Sequence, residues 1–233
     1  MSPARAAIVE GWPVLLTSVV VGVTYGVVAR QSGLTVLETS GSSVLIFAGA
    51  AQFAAVGLLR DGAGALEVAA SVLLINLRHL LMAASLRPHF ARASWLERLG
   101  LGYILTDEAF AMGIGHFRRG GRDLLYYATF GTLLWLCWNI GTLTGAVFGA
   151  GLEHPERYGV DFAITATFLA IVAVGVRHRT DVVVAVAAGA VAAALRLAGA
   201  TTLAVVIAGA VAPMIVFLVR EQRAAEDAPL AMR

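Results

Sequence analysis

Long apolar runs joined by short polar links occupy almost the whole chain. Residues 12–29, 42–59, 64–86, 101–115, 124–150 and 161–176 are each mainly apolar, and residues 182–219 form one further stretch of that kind. A helix needs about 20 such residues to cross a hydrocarbon layer about 30 Å thick. The last stretch therefore holds two segments, divided near residues 198–200, which brings the expected number to about seven or eight. The run at 101–115 is short for a crossing. The centre of the run at 42–59, Gly49-Ala50-Ala51-Gln52, is small and polar, and a break in a helix is tolerated at membrane depth only where it faces protein or water.

Composition agrees with this pattern. The chain of 233 residues is 59% hydrophobic and 14% charged, with mean hydropathy +0.81, against about 45–50% and about 25% in an average soluble protein. The predicted class is an all-α polytopic membrane protein: one transmembrane domain over residues 1–219, with broken or re-entrant helices allowed, then a short polar tail at 220–233. The start of the chain lacks a small-residue cleavage site, so its first run is expected to stay in the protein. All 17 basic residues are arginine, which suits a GC-rich genome, and a net charge of +2 scattered between runs gives no nucleic-acid surface. The single Cys137 excludes an internal disulfide. Arginines counted over alternate links favour both termini in the cytoplasm. The link carrying Arg87, Arg92 and Arg98 is the misfit, and it suggests that the segment at 101–115 is re-entrant. The sequence offers no convincing internal repeat.

Polar residues within the runs are the candidate chemistry. The segment Ser71–Ser85, SVLLINLRHLLMAAS, contains Asn76, Arg78 and His79. A guanidinium at such a depth costs roughly 2.5–3.5 kcal/mol on insertion scales. Asp107 and Glu108, in the next run, are its natural counter-charges. Adjacent residues on a helix point about 100° apart, so one carboxylate is expected to pair with Arg78 and the other to meet a proton or an ammonium. Gln52 and Asn139 complete the set of buried amides. Trp135, Trp138 and Thr142 share a helix face near mid-membrane, and Gly141, Gly145 and Gly149 form a ridge for a close neighbour helix. Packing alone, with a structural ion pair, is the competing account. HExxH, a CxxC pair, a P-loop and a nucleophile elbow are all missing, which leaves a soluble-type enzyme, a metal site or a cofactor without support.

Three motifs, FAGAAQFAAVGLL at 47–59, LLINLRHLLMAASL at 73–86 and LTDEAFAM at 105–112, resemble those of the AzlC family in sequence, order and spacing. The resemblance implies a subunit of a branched-chain amino-acid exporter, multi-pass in the bacterial cytoplasmic (inner) membrane, working with a small membrane partner of the AzlD family. Arg78 would then hold the substrate carboxylate or a counter-carboxylate. Asp107 or Glu108 would take the amine or a coupling proton, and Gln52, Asn76 and Asn139 would supply polar contacts. Two other classes stay open here: a non-transporting membrane scaffold and an intramembrane enzyme.

Overall fold

The computed structural model describes residues 1–149 and 179–198. Among these the only regular elements are helices: α1 (Pro3–Gln31), α2 (Val36–Ile46), α3 (Gly49–Arg60), α4 (Ala65–Asn76), α5 (Arg78–Leu86), α6 (Trp95–Tyr103), α7 (Asp107–Arg118), α8 (Leu124–Gly149) and α9 (Arg179–Leu197). Helix α9 ends where the last apolar stretch was expected to divide, and the run at 161–176 lies outside the described residues. Among the described residues, three stretches are long and apolar enough to cross a membrane: Pro3–Gln31, Ala65–Leu86 and Leu124–Gly149. The break at Leu77 between α4 and α5 is slight, because that residue keeps right-handed helical angles, so the two helices run on as one span.

Helices α1 and α8 form the frame. Gly22 sits so close to α8 that an added Cβ would lie 2.7 Å from Trp138 O, and Gly26, Gly141 and Gly145 would likewise collide with facing backbone. The expected glycine ridge therefore meets α1. Contacts advance together along both helices. Glu10 is bonded to Tyr126, Gly22 lies against Thr142, and Gly149 faces Val27. The two helices are parallel.

The segments between them do not simply alternate. Helix α5 ends at Leu86, and the Phe90 ring just beyond it packs 5.2 Å from Tyr127 at a tilt and 6.5 Å from Phe117 edge-on. The end of α5, the end of α7 and the start of α8 thus lie at one level. Helix α6 begins at that same level, with the Arg98 guanidinium donating to the carbonyls of Phe90 and Ala91. It then climbs along α8. The Tyr127 hydroxyl donates to Leu101 O at 3.2 Å, Gly131 packs on Ile104, and the Trp135 indole donates to the Tyr103 hydroxyl at 2.9 Å. After an unwound stretch at 104–106, α7 descends again. Helices α6 and α7 therefore form a re-entrant hairpin, as the arginine misfit suggested.

The run at 42–59, read as one crossing, is a second such hairpin. The span α4–α5 ends at the α8 N-terminal level, so it starts at the opposite one. Only a short turn separates α3 from α4, so α3 also ends there. Helix α2 starts just after the end of α1, again at that opposite level. Its descent is marked by Ser43 bonded to Thr142 at 3.1 Å and by Gly49 under Trp138. The chain reverses at Phe47, in left-handed conformation (φ 39°), and at the extended Ala48. The four half-helices have 9 to 12 residues, or about 14–18 Å at 1.5 Å per residue, near half of the hydrocarbon thickness.

The two hairpins are punctuated alike. Each opens with a capping box, Thr35 with Glu38 and Ser94 with Glu97, in which the glutamate Oε2 accepts from backbone and hydroxyl at 2.7 and 2.8 Å. Their second halves, Gly49–Arg60 and Asp107–Arg118, are both 12 residues long. Each ends in an arginine followed, two residues on, by a glycine of positive φ: Gly62 at 83° and Gly120 at 90°. The same i+5 backbone bond closes each, Ala63 to Leu58 and Gly121 to His116. The chain thus does repeat itself, in opposite senses across the layer. The hairpin topology also removes the charge misfit. Between residues 1 and 149, Arg5, Arg87, Arg92, Arg98, Arg118, Arg119 and Arg122 fall at the α1 N-terminal end, and Arg30 and Arg60 at the other.

Candidate functional site

The tips of the two hairpins meet against the middle of α8, one helical turn apart. Trp135 touches the tip of the α6–α7 hairpin, with its ring 6.5 Å from Tyr103. Trp138 covers the tip of the α2–α3 hairpin. These are the two tryptophans whose central depth was out of place for an aromatic belt.

At the α6–α7 tip, Thr106 is extended and caps α7, its Oγ1 accepting from the Ala109 N–H at 3.2 Å. Asp107 and Glu108 then occupy the first turn of α7. A half-helix N-terminus carries positive partial charge, which favours both carboxylates. Asp107 is the partner of Arg78: Oδ2 lies 2.7 Å from Nη2, and the side chains are 45% and 39% exposed. Glu108 is exposed, and an adjacent helical position points about 100° away from Asp107. Arg78 begins α5, directly after the break at Leu77. Its Nε is buried with no partner among the described residues.

The other candidates divide. Asn76 is half-buried with Oδ1 unpartnered. His79 Nδ1 contacts the Asn76 main-chain oxygen at 3.0 Å, which settles the ring on its own helix. Asn139 donates to Trp135 O at 2.8 Å within α8 and stands outside the ion pair. Gln52 is fully buried at the other tip. Its Oε1 accepts from the Trp138 indole at 3.1 Å, while Nε2 has no partner among the described residues. Leaving such a group unpaired away from water is costly, and Gln52, Asn76 and Arg78 each hold one such atom among the described residues.

A cavity of about 570 Å³ lies between α1, α2, α3 and α4. Its walls are aliphatic, including Ile46, Val56 and Val68, and its polar atoms come from Tyr25, Ser42 and Asn76. Tyr25 and Ser42 share a 2.7 Å hydrogen bond, and Tyr25 stacks 6.1 Å from Trp138. Sequence reasoning missed Tyr25, Ser42 and Tyr103, since a tyrosine or serine in an apolar run carries no pattern. It also missed Glu10, which accepts from both Arg119 and Tyr126 at 2.8 Å and ties α1 to the α7–α8 turn.

The family described as AzlC protein matches residues 13–152, which include both hairpins. An uncharacterized membrane protein of Archaeoglobus fulgidus is 29% identical over 91% of this chain and 93% of its own length. The inner membrane protein YgaZ of Escherichia coli is 27% identical over 80% of each chain. The branched-chain amino acid transport protein AzlC of Bacillus subtilis is 27% identical over 72% of this chain and 65% of its own. No solved structure matches.

Proposed function

This chain belongs to the AzlC family of membrane proteins, and from that premise we propose that it is the large subunit of a secondary transporter exporting branched-chain or other small apolar amino acids. A membrane transport role follows from the family; substrate, direction, coupling and partner are the proposal. The observation that carries it is the half-exposed Arg78–Asp107 pair at a hairpin tip in mid-membrane. A structural pair sealed in the bundle would show little accessible surface, whereas both of these side chains are partly open. A reachable pair of opposite charges can instead exchange partners with a zwitterion. The substrate carboxylate takes Arg78, its ammonium takes Asp107, and the two protein charges stay compensated throughout. The aliphatic cavity beside Asn76 receives a branched side chain. Glu108, outside the pair, is left to carry a coupling proton, a common role for intramembrane carboxylates.

The arginine excess at the α1 N-terminal end fits a cytoplasmic face, and a bacterial inner membrane agrees with the naming of YgaZ. A small AzlD-like subunit is the proposed partner. Reconstitution of the chain with such a subunit tests the reading. Vesicles loaded with leucine, valine, lysine or glutamate are followed for efflux, with and without a pH gradient. Efflux of leucine and valine, faster with a gradient, is expected. Equal retention of all four would sink it.

A further inference from the structure

The break between α2 and α3 creates a problem that one residue of the opposite hairpin answers. A helix that ends leaves its last carbonyls without intrahelical donors, and at membrane depth no bulk water supplies one. Phe47 N–H still reaches Ser43 O at 3.2 Å. The next carbonyl, Val44 O, receives the hydroxyl of Tyr103. Tyr103 is the last residue of α6, so this hydrogen bond joins the tip region of one hairpin to that of the other. The same hydroxyl accepts from the Trp135 indole at 2.9 Å, which fixes it against α8. Yet Tyr103 is 46% exposed and Val44 39%. A tie with this much exposure is open to being broken and remade.

We propose that Tyr103 is the positioning residue that couples the two hairpins, passing the movement of one to the other as the substrate crosses between their tips. The proposal rests on the transport reading for its consequence, but the tie itself is testable without any substrate. The hairpins enter from opposite faces, so the contact between their tips separates the two half-paths. Its loss uncouples them without touching the groups assigned to the substrate.

Two measurements decide it. The first uses the reconstituted transporter with Tyr103→Phe and, separately, Trp135→Phe. Loss of one hydrogen bond from the moving tie lowers turnover by about tenfold in Y103F and by about threefold in W135F. The apparent KM stays within about twofold of the parent, and the double variant is no slower than Y103F, since both act through one hydroxyl. The second measurement uses Ile46→Cys in a Cys137→Ser background. Ile46 lines the cavity on the α2–α3 side of the tie. A membrane-impermeant thiol reagent labels it from one face only in the parent, and from both faces in Y103F. Parent-like turnover in Y103F overturns the proposal, as does one-sided labelling in that variant. A fall in turnover that tracks loss of folded protein overturns it too, as a merely structural role. If the parent moves no amino acid but Y103F still opens the second face, the transport reading fails and the tie stands.

Discussion

Two tips of one repeated unit carry different chemistry. The tip of the α2–α3 hairpin, at Phe47 to Gly49, is neutral, and Ala48 places no side-chain cap on the helix that follows. It is closed over by Trp138, and its polar residue, Gln52, is fully buried. The tip of the α6–α7 hairpin has Thr106 as a cap, then two carboxylates, one of them paired with Arg78 while half-exposed. The starts and ends of the hairpins are nearly interchangeable, with the same capping box and the same terminal glycine. On the proposed transport reading, the charged tip would meet the substrate's charges and the neutral one would shape the wall beside them.

The contrast presumes a frame that holds both tips at fixed depth, and breaking that frame is the largest change expected. A side chain at Gly145 would drive into Val23 O, and one at Gly26 into Thr142 O. Both contacts are with backbone, which has nowhere to go. Gly145→Val is expected to remove folded protein altogether. The check is the monodisperse yield in detergent, beside Gly57→Val, where an added Cβ meets nothing within 4 Å.

Next in size is the charged tip. Asp107→Asn or Arg78→Gln removes a charge-assisted contact worth about 1.5–3 kcal/mol, which is about 10–100-fold in affinity for a zwitterion at tenfold per 1.4 kcal/mol. The swap Arg78→Asp with Asp107→Arg separates a site from a scaffold. A pair that only fixes packing keeps its attraction when reversed. A pair that receives a zwitterion does not serve it when reversed, because each end of the bound substrate then meets a like charge. The swapped protein is expected to fold and not to transport. Transport at parental rates would return the pair to packing.

The neutral tip should respond in stability instead. Trp138→Phe keeps an aromatic ring over Gly49 and beside Tyr25, and leaves the buried Gln52 Oε1 without its donor. An unsatisfied buried acceptor costs about 1–3 kcal/mol, a fall in Tm of several degrees at about 2–4 °C per kcal/mol for a chain of this size. Trp135→Phe, whose indole bonds the half-exposed Tyr103, should move Tm by less than W138F. An equal or larger drop in W135F would erase the proposed division of labour.

Much of this was legible in the residues. Hydropathy marked the spans, and the cost of Arg78 in an apolar run called for a carboxylate that proved to be Asp107. The glycine ridge at 141–149 announced a close neighbour. What hydropathy lacks is direction. Residues 42–59 are as long and apolar as a crossing, and the reversal at Phe47 rests on a single residue of positive φ. The repeat escaped for a related reason. Its copies share only Thr35-Val-Leu-Glu38 with Gly41, against Ser94-Trp-Leu-Glu97 with Gly100, and the Arg-x-Gly endings at Arg60 and Arg118. Those residues set where helices begin and end, while the rest need only be apolar. The arginine misfit at 87–98 was the one clue to topology. It pointed to one hairpin, and once that one is granted, parallel packing of α1 and α8 requires the second.

The smallest effect is also the sharpest control, because it should be the same in both copies. Hydrogen bonds from the Thr35 backbone, then its hydroxyl, hold the Glu38 carboxyl below its ordinary range; Ser94 does the same for Glu97. A carboxylate whose value is lowered on folding contributes stability above its unfolded value, near 4.3. That contribution is lost as pH falls through the lower folded value. Both groups are fully exposed, so the contribution is small. Glu38→Gln and Glu97→Gln should each lower Tm slightly and equally at pH 7, and the gap to the parent should close as the pH drops below the carboxylate range. Thermal unfolding at a series of pH values reads this directly. Unequal shifts would mean that the hairpins already differ where they begin. The contrast between the tips would then belong to two unlike elements, and not to one unit put to two uses.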